Sequence, residues 1–364
     1  MITFMAPDLP TFSGGLKVID AYVRALNAAG LPARTWHGTR QAQYPDATAP
    51  TVYGLTLDLE PGDVLVMPET GGQKWQFLTG DAPVVMLCQG TDFVFANTDF
   101  TAGLPGPYPG WPNATAVVGV SDSIVDFLRA ACDPGLPIHH VPVEIDTALF
   151  RPLPKEKRIA LMPRRRREDL LAAVQLIRAA GLLDEGWELE IIDGMTAPEV
   201  AAALGRSAIF LFGAEREGVG LPGAEAMAAG AYVVGFTGHG AREYLLPGVS
   251  SVIRESDVIA MKDETIRIAR LFTDERAAYE AATAAGRELI ISRYSHDLMA
   301  SSLVAAFEKI TRTGSPSVLQ APVTVSHYQR YGQRPGRVWT TYVAARTAAG
   351  ALKRRVVGAL RGRG

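Results

Sequence analysis

The 364-residue sequence predicts an α/β protein built as two similar domains. Three observations support this class. The chain is longer than a typical single domain. Short apolar runs, typical of buried parallel strands, alternate with helical patterns in both halves. A proline-containing segment at residues 143–157 separates the halves and has the composition of a linker. We therefore expect two layered α/β/α domains, at residues 1–142 and 158–296, and a basic helical tail at residues 315–364.

The first half begins with a strand at Met1–Ala6, a tight loop ending at Gly15 and a helix at Leu16–Ala29. The helix has apolar residues at helical spacing and ends at Gly30, a typical C-terminal signal. Further elements of this half are predicted at 63–67, 83–87 and 116–120 (strands) and 121–131 (a helix capped by Ser121). Residues 90–113 are rich in glycine, proline and aromatic residues, which predicts a long and often functional loop.

The second half repeats this alternation. Strands are predicted at 158–162, 187–192, 207–212, 231–236 and 251–254, and helices at 168–180, 198–204, 222–229, 263–271, 275–291 and 297–312. The two cysteines, Cys88 and Cys132, are too few for a disulfide framework and indicate a reducing compartment. We find no secretory signal and no apolar run of membrane-spanning length, so we expect a cytoplasmic protein.

The net charge of −2 conceals an asymmetry. Residues 309–364 carry 11 Lys or Arg and no Asp or Glu, so the rest of the chain is acidic. From Val338 onward, apolar residues recur at spacings of three and four, with basic residues off that stripe. The segment 327–364 therefore predicts a basic amphipathic helix, which suits an anionic membrane surface. Packing on the body or on a partner helix fits the pattern equally well. The acidic body disfavours nucleic acid as a partner.

The most informative motif runs from Glu217 to Glu225, with a glycine-rich turn between the two carboxylates. Pro222 suits the first turn of a helix, whose unpaired N–H groups and dipole favour an anion. The glycines also spell the G-x-G-x-x-G pattern of dinucleotide sites. That reading is disfavoured, because five residues separate the strand from the first glycine and Thr237, rather than an acid, follows the next strand.

At these residues the chain resembles the retaining glycosyltransferases of the GT-B fold, family 4 type. The family pattern is E-G-F-G-L-P-x-x-E-A-M-A-x-G, and this chain has EGVGLPGAEAMAAG, with Val219 in place of the aromatic. The loop after Val233, the linker near Phe150, Ser121 and the N-terminal glycine loop are similar to the family as well. The resemblance covers about residues 1–312 and leaves the tail outside.

The resemblance implies two facing Rossmann-like domains, with substrates in the cleft and a last helix, residues 297–314, crossing back. The C-terminal domain would hold a nucleotide diphosphate sugar, and the N-terminal domain a glycan or lipid-linked acceptor. Neither metal nor cofactor is needed in this fold, and the sequence contains no Asp-x-Asp. Envelope or exopolysaccharide synthesis, with possible peripheral attachment to the inner membrane face, fits such a transferase with a basic tail.

Roles follow for individual residues. Glu217 would lie at the donor sugar and Glu225 would accept the ribose hydroxyls. The diphosphate would be held by two guanidinium groups and by the turn, namely by Arg164, Arg167, Gly218, Val219, Gly220 and Leu221. Arginine can bind two phosphate oxygens at once, which makes it a suitable counter-ion. For the acceptor side of the cleft, the candidates are Gly14, Gly15, Asp92 and His239.

Other interpretations remain open for these residues. The two glutamates by themselves would fit an exposed turn and helix face, and the arginines a surface patch. Gly14 and Gly15 equally suit a tight turn, and a loop histidine such as His239 is more often solvated than catalytic. Two other functions compete with transfer: a GT-B sugar-nucleotide epimerase, and a non-enzymatic scaffold with a degenerate transferase fold. The sequence names neither the sugar nor the acceptor.

Overall fold

A computed structural model describes residues 1–9, 13–40, 44, 46–69, 72–96, 100–101 and 103–328 of the chain. Each half contains a parallel sheet with helices packed against it, so the predicted α/β class with two domains is confirmed. Within these residues, no helix is both long and apolar enough to cross a membrane. The part of the predicted tail helix beyond Tyr328 lies outside the described residues.

The strands of the N-terminal half are β1 (Ile2–Met5), β2 (Ala33–His37), β3 (Thr51–Tyr53), β4 (Thr56–Leu59), β5 (Val64–Pro68), β6 (Val84–Cys88), β7 (Ala114–Gly119) and β8 (Ile138–His140). All except β4 form one parallel sheet in the order β3-β2-β1-β5-β6-β7-β8. Strands β5 and β6 are buried along their whole length, as expected for strands covered on both faces. Two helices, α1 (Gly14–Ala28) and α2 (Asp122–Ala131), belong to this domain.

The C-terminal sheet contains β9 (Glu156–Leu161), β10 (Glu188–Ile191), β11 (Ser207–Gly213), β12 (Tyr232–Phe236) and β13 (Ser250–Ile253). These strands are parallel and lie in the order β10-β9-β11-β12-β13. The helices are α3 (Arg167–Ala179), α4 (Ala197–Arg206), α5 (Leu221–Ala228), α6 (Val258–Asp274) and α7 (Arg276–Arg293). Strand β9 begins two residues earlier than predicted, inside the predicted linker, so the connection between the domains is shorter than expected.

The last helix, α8 (His296–Ile310), leaves the C-terminal domain and packs against α1 of the N-terminal domain. Its Phe307 is fully buried and lies against Phe4 of β1, with 5.6 Å between ring centroids. The crossing helix implied by the resemblance is therefore present. It ties the two domains together, because its residues complete the hydrophobic core of the N-terminal domain.

Residues 315–328 were predicted to belong to the basic helical tail, and this assignment is wrong. Here the chain forms a strand, β14 (Val323–Ser326), which pairs antiparallel with β4. His327 is fully buried, with its ring 5.2 Å from that of Trp36, and the Asp8 amide donates to the Tyr328 hydroxyl at 2.7 Å. Alternating burial in β14 favours a strand over a helix. We call residues 315–328 the strap.

The strap makes a testable contribution to stability. A chain ending after Tyr328 keeps the buried Val325 and His327, whereas a chain ending after Gly314 loses both. We expect the shorter chain to be less stable by at least about 2 kcal/mol, because each large buried side chain contributes on that order. Thermal and urea unfolding of the two truncations would measure the difference. Equal stabilities would show that the strap does not hold the N-terminal domain.

Candidate functional site

Two loops meet at the carboxyl edge of the C-terminal sheet. One follows β9 and contains the arginine run from Arg164 to Arg167, and the other follows β11 and contains Glu217. Strands β9 and β11 are parallel neighbours, with Leu161 paired to Leu211, so both loops leave the sheet at the same edge. The Nε atom of Arg165 lies 3.8 Å from the Glu217 carboxylate. The predicted basic and acidic segments are therefore adjacent.

Glu217 is largely enclosed in the loop after β11. Its side chain is only 16% exposed. Its Oε2 atom is buried and has no hydrogen-bond partner within the part of the chain that the structure describes. Burial raises the pKa of Glu217, and the charges of Arg165 and Arg164 partly oppose this. An unpaired buried carboxylate oxygen is costly, so this atom is suited to a ligand hydroxyl or a developing positive charge.

The turn between the two glutamates has the backbone that its glycines predict. Gly220 is the N-cap of α5 with φ of 79°, a left-handed conformation that favours glycine. The Tyr244 hydroxyl donates to the Gly220 carbonyl at 2.5 Å and so fixes the turn. Pro222 occupies the first turn of α5, and Val219 is buried. Pro222 has no N–H, and the Gly223 amide donates to the Gly220 carbonyl at 3.0 Å, so among the described residues the Gly220 and Leu221 amides are the orphan donors of this helix start.

Glu225 lies one turn into α5, after the glycine-rich turn that ends at Gly220. Burial raises its pKa to about 7, and the charges of Lys17 and Arg164 act in the opposite direction. Lys17 belongs to α1 of the N-terminal domain, so cations from both domains surround this carboxyl group. Sequence patterns did not identify Lys17, although it lies two residues after the glycine pair. Its position beside Glu225 depends on how the two domains face each other.

The four arginines have different surroundings. Arg164 is exposed and its charge acts on both Glu217 and Glu225. Arg166 instead stabilises the loops: it donates to the Ala214 carbonyl at 2.9 Å and pairs with acidic neighbours. Arg167 is the exposed first residue of α3. The guanidinium group beside Glu217 is therefore that of Arg165, which the sequence did not single out, while the phosphate role of Arg167 remains a prediction.

The acceptor-side candidates lie where the N-terminal domain faces these loops. A Cβ atom on Gly14 would be 3.0 Å from Leu221, and the Gly15 carbonyl accepts a hydrogen bond from the Gln89 side chain at 3.3 Å. Asp92 is exposed, yet desolvation still raises its pKa, opposed chiefly by Arg216 and then by the other cations facing it across the cleft.

His239, another acceptor-side candidate, is close enough to Asp92 to interact with it electrostatically. It is exposed and precedes the short 3-10 turn Gly240–Glu243. The Gly240 amide donates to the Glu217 carbonyl at 3.0 Å, so the His239 loop packs directly on the Glu217 loop. The structure therefore brings Asp92 and His239, from different domains, close to each other and sets the His239 loop against the Glu217 loop.

Sequence reasoning also missed Glu69, a buried carboxyl group at the end of β5. It is 4% exposed, and burial raises its pKa to about 8, while the amides of Glu69, Gln89 and Gly90 act in the opposite direction. Glu69 thus supports the loop that leads to Asp92. No feature of the sequence distinguishes this glutamate from a solvated one. Among the described residues, no group of three or more His, Cys, Asp or Glu is arranged to hold a metal ion.

Solved structures share this architecture. The chain is similar to sucrose-phosphate synthase from Thermosynechococcus elongatus, with 15% identity, a TM-score of 0.63 and coverage of 85% of this chain and 98% of that one. A glycosyltransferase from Rickettsia africae is 14% identical, with a TM-score of 0.61 and coverage of 86% of this chain and 99% of that one. Anabaena HepE, solved in complex with UDP and glucose, is 10% identical, with a TM-score of 0.60 and coverage of 84% of this chain and 99% of that one.

Sequence comparisons reach less far. No protein-family model matches the chain. An alpha-1,6-glucosyltransferase of Actinobacillus pleuropneumoniae serotype 7 is 50% identical over 48 residues, which are 13% of this chain and 14% of that relative. The match thus spans about one seventh of the relative's length. The structural likeness, over most of the length of both chains, is what carries the conclusion: this protein has the GT-B fold of glycosyltransferases.

Proposed function

We propose that the protein transfers a sugar from a nucleotide diphosphate sugar to a glycan or lipid-linked acceptor. The observation that carries the proposal is the pair Glu217 and Glu225, two buried carboxyl groups with raised pKa values at the start of one helix. Cations from the loop after β9 and from α1 of the N-terminal domain surround them. Such a site combines groups that bind hydroxyls with groups that bind phosphates, which is what a sugar nucleotide presents.

In this proposal the diphosphate lies between Arg164, Lys17 and the first amides of α5. Negative charge grows on the diphosphate as the bond to the sugar breaks, and fixed cations and N–H dipoles stabilise it without reorganisation. These groups supply the positive charge that a divalent cation would otherwise provide. We therefore propose metal-independent transfer, with no cofactor besides the sugar nucleotide.

The glutamates would act on the two ends of the donor. Glu225 accepts hydrogen bonds from the ribose hydroxyls, and the unpaired Oε2 of Glu217 faces the donor sugar, where it binds a hydroxyl or stabilises positive charge at the anomeric carbon. Asp92, which belongs to the N-terminal domain, would receive the proton of the acceptor hydroxyl. We propose retention of configuration on the strength of the motif from Glu217 to Gly230.

Incubation with a panel of nucleotide sugars, followed by mass spectrometry, tests the activity. We expect release of nucleoside diphosphate from at least one donor, stimulated by an acceptor glycan. Glu217→Gln should lower the turnover by about 100-fold, as for removal of one transition-state contact. Glu225→Gln should weaken UDP binding by about tenfold or more, because it removes a charged hydrogen-bond acceptor. Glu308→Gln, on the exposed face of α8, is the control.

Chromatography ahead of the mass spectrometer lets the same panel separate the competing functions. An epimerase would convert one nucleotide sugar into an isomer of equal mass with a different retention time, and a scaffold would leave every donor unchanged. Near-normal turnover in both Glu217→Gln and Glu225→Gln would contradict the assignment of the two carboxylates, even if transfer itself is observed.

Binding should depend on pH through Glu225. Its pKa of about 7 means that the ionised form, the better acceptor for ribose hydroxyls, grows from a minority at pH 6 to a majority at pH 8. We expect the affinity for UDP to rise about tenfold across this range. Glu225→Gln removes the titrating group while keeping the shape, so it also serves as the control for titration of the nucleotide. An equal pH dependence in the variant would contradict this role.

We further propose that the basic segment beyond Tyr328 brings the enzyme to an anionic membrane surface, as suits envelope or exopolysaccharide synthesis in the cytoplasm. Co-sedimentation with vesicles that contain anionic lipid would compare the full chain with a chain ending after Tyr328, which keeps the strap. We expect the full chain to bind and the shorter chain to bind less, with the difference lost at high salt. Equal binding would contradict the membrane role.

A further inference from the structure

The N-terminal domain touches the backbone immediately after Glu217. A Cβ atom added to Gly218 would lie 2.0 Å from the Gln89 carbonyl oxygen and 2.7 Å from the Ile124 side chain. The Ser121 hydroxyl donates to the Gly218 carbonyl at 2.6 Å. Both contacts join the two domains. Gly218 is therefore needed for the close approach of the N-terminal domain, apart from any contact with a phosphate.

Ser121 performs two tasks with one hydroxyl group. As the N-cap of α2 it accepts a hydrogen bond from the Ile124 amide at 3.3 Å. The hydroxyl donates its single proton in the hydrogen bond to the Gly218 carbonyl, which belongs to the other domain. Ser121 is fully buried, so this hydrogen bond is shielded from water. A side chain that accepts hydrogen bonds but cannot donate one would keep the cap of α2 and lose the bond to Gly218. The cap and the contact between domains can therefore be tested independently.

A second contact supports the same boundary. The Ser123 amide, in the first turn of α2, donates to the Glu243 carboxylate at 2.9 Å, and the Tyr294 hydroxyl donates to the other oxygen at 3.1 Å. A carboxylate at a helix N-terminus is stabilised by the orphan amides and the dipole. The start of α2 thus contacts the C-terminal domain twice, at the Gly218 carbonyl and at the Glu243 carboxylate.

We infer that Ser121 is a positioning residue, which fixes the Gly218 carbonyl and thereby places the Glu217 carboxyl group relative to the acceptor-side loop from Gln89 to Asp92. Gln89 shares this junction, because its carbonyl meets Gly218 and its side chain holds Gly15. The placement of Glu217 then depends on the hydrogen bond between Ser121 and Gly218, while the Glu243 contact supports the same boundary. The inference rests on the proposed transfer function and adds to it a residue of the N-terminal domain.

The matched pair Ser121→Asn and Ser121→Asp tests the inference. The two side chains have the same size and both can cap a helix, but only asparagine can donate to the Gly218 carbonyl. We expect the transfer rate of Ser121→Asp to fall about tenfold or more below that of Ser121→Asn, as for a small misplacement of a catalytic group. Small-angle X-ray scattering should show the domains farther apart in Ser121→Asp. Affinity for UDP should change little.

Gly218→Ala provides a second route, since its Cβ atom must push against Gln89 without altering the cap of α2. We expect it to separate the domains as Ser121→Asp does. Gly135→Ala is the control, because a Cβ atom there meets nothing within 4 Å. Circular dichroism would establish that each variant is folded before it is compared.

Equal scattering and equal transfer rates for Ser121→Asn and Ser121→Asp would overturn the inference. So would a Gly218→Ala variant that scatters as Gly135→Ala does. If the unaltered protein proves unable to use any nucleotide sugar, the proposed function fails, while the scattering comparison still decides whether Ser121 holds the domains together.

Discussion

The parallel pairing of β9 with β11 is the constraint on which the site depends. It brings the arginine run and the Glu217 loop to one edge of the sheet, so that guanidinium groups and buried carboxyl groups face a common space. The start of α5 lies at the same edge and adds orphan amides. The N-terminal domain completes the arrangement with Lys17 and with the loop from Gln89 to Asp92. Each of these groups is common on protein surfaces. Their suitability for binding a ligand arises because the fold brings them close together.

The charges of this arrangement would suit a dianionic ligand that also carries hydroxyls. Glu217 and Glu225 are buried enough for their pKa values to rise, yet neighbouring cations favour their ionised forms. A diphosphate would satisfy the cations, and sugar hydroxyls would satisfy the carboxylates. Arg166, by contrast, is already engaged with the Ala214 carbonyl and acidic side chains. The arginine run thus separates into residues that hold the loops and residues that remain open to a ligand.

Much of the fold could be predicted because apolar strands and helix signals alternate regularly. The motif from Glu217 to Glu225 also predicted its own backbone, since Gly220 adopts the left-handed conformation and Pro222 lies in the first helical turn. Strand β2 escaped prediction because polar side chains such as His37 are buried within it. Lys17, Gln89 and the Ser121 contact depend on how the domains face one another, which local sequence patterns do not encode. The strap was missed because β14 pairs with β4, which lies far away in the sequence, and local patterns do not encode such long-range pairing.

Titration of UDP and GDP into the purified protein in the presence of EDTA tests the central claim most directly. The claim is that a diphosphate is held by guanidinium groups and helix amides without a divalent cation. We predict that at least one nucleotide binds, that addition of Mg²⁺ leaves its affinity unchanged, and that Arg164→Ala combined with Arg165→Ala weakens it. Absence of binding for both nucleotides, or binding that requires Mg²⁺, would contradict the account.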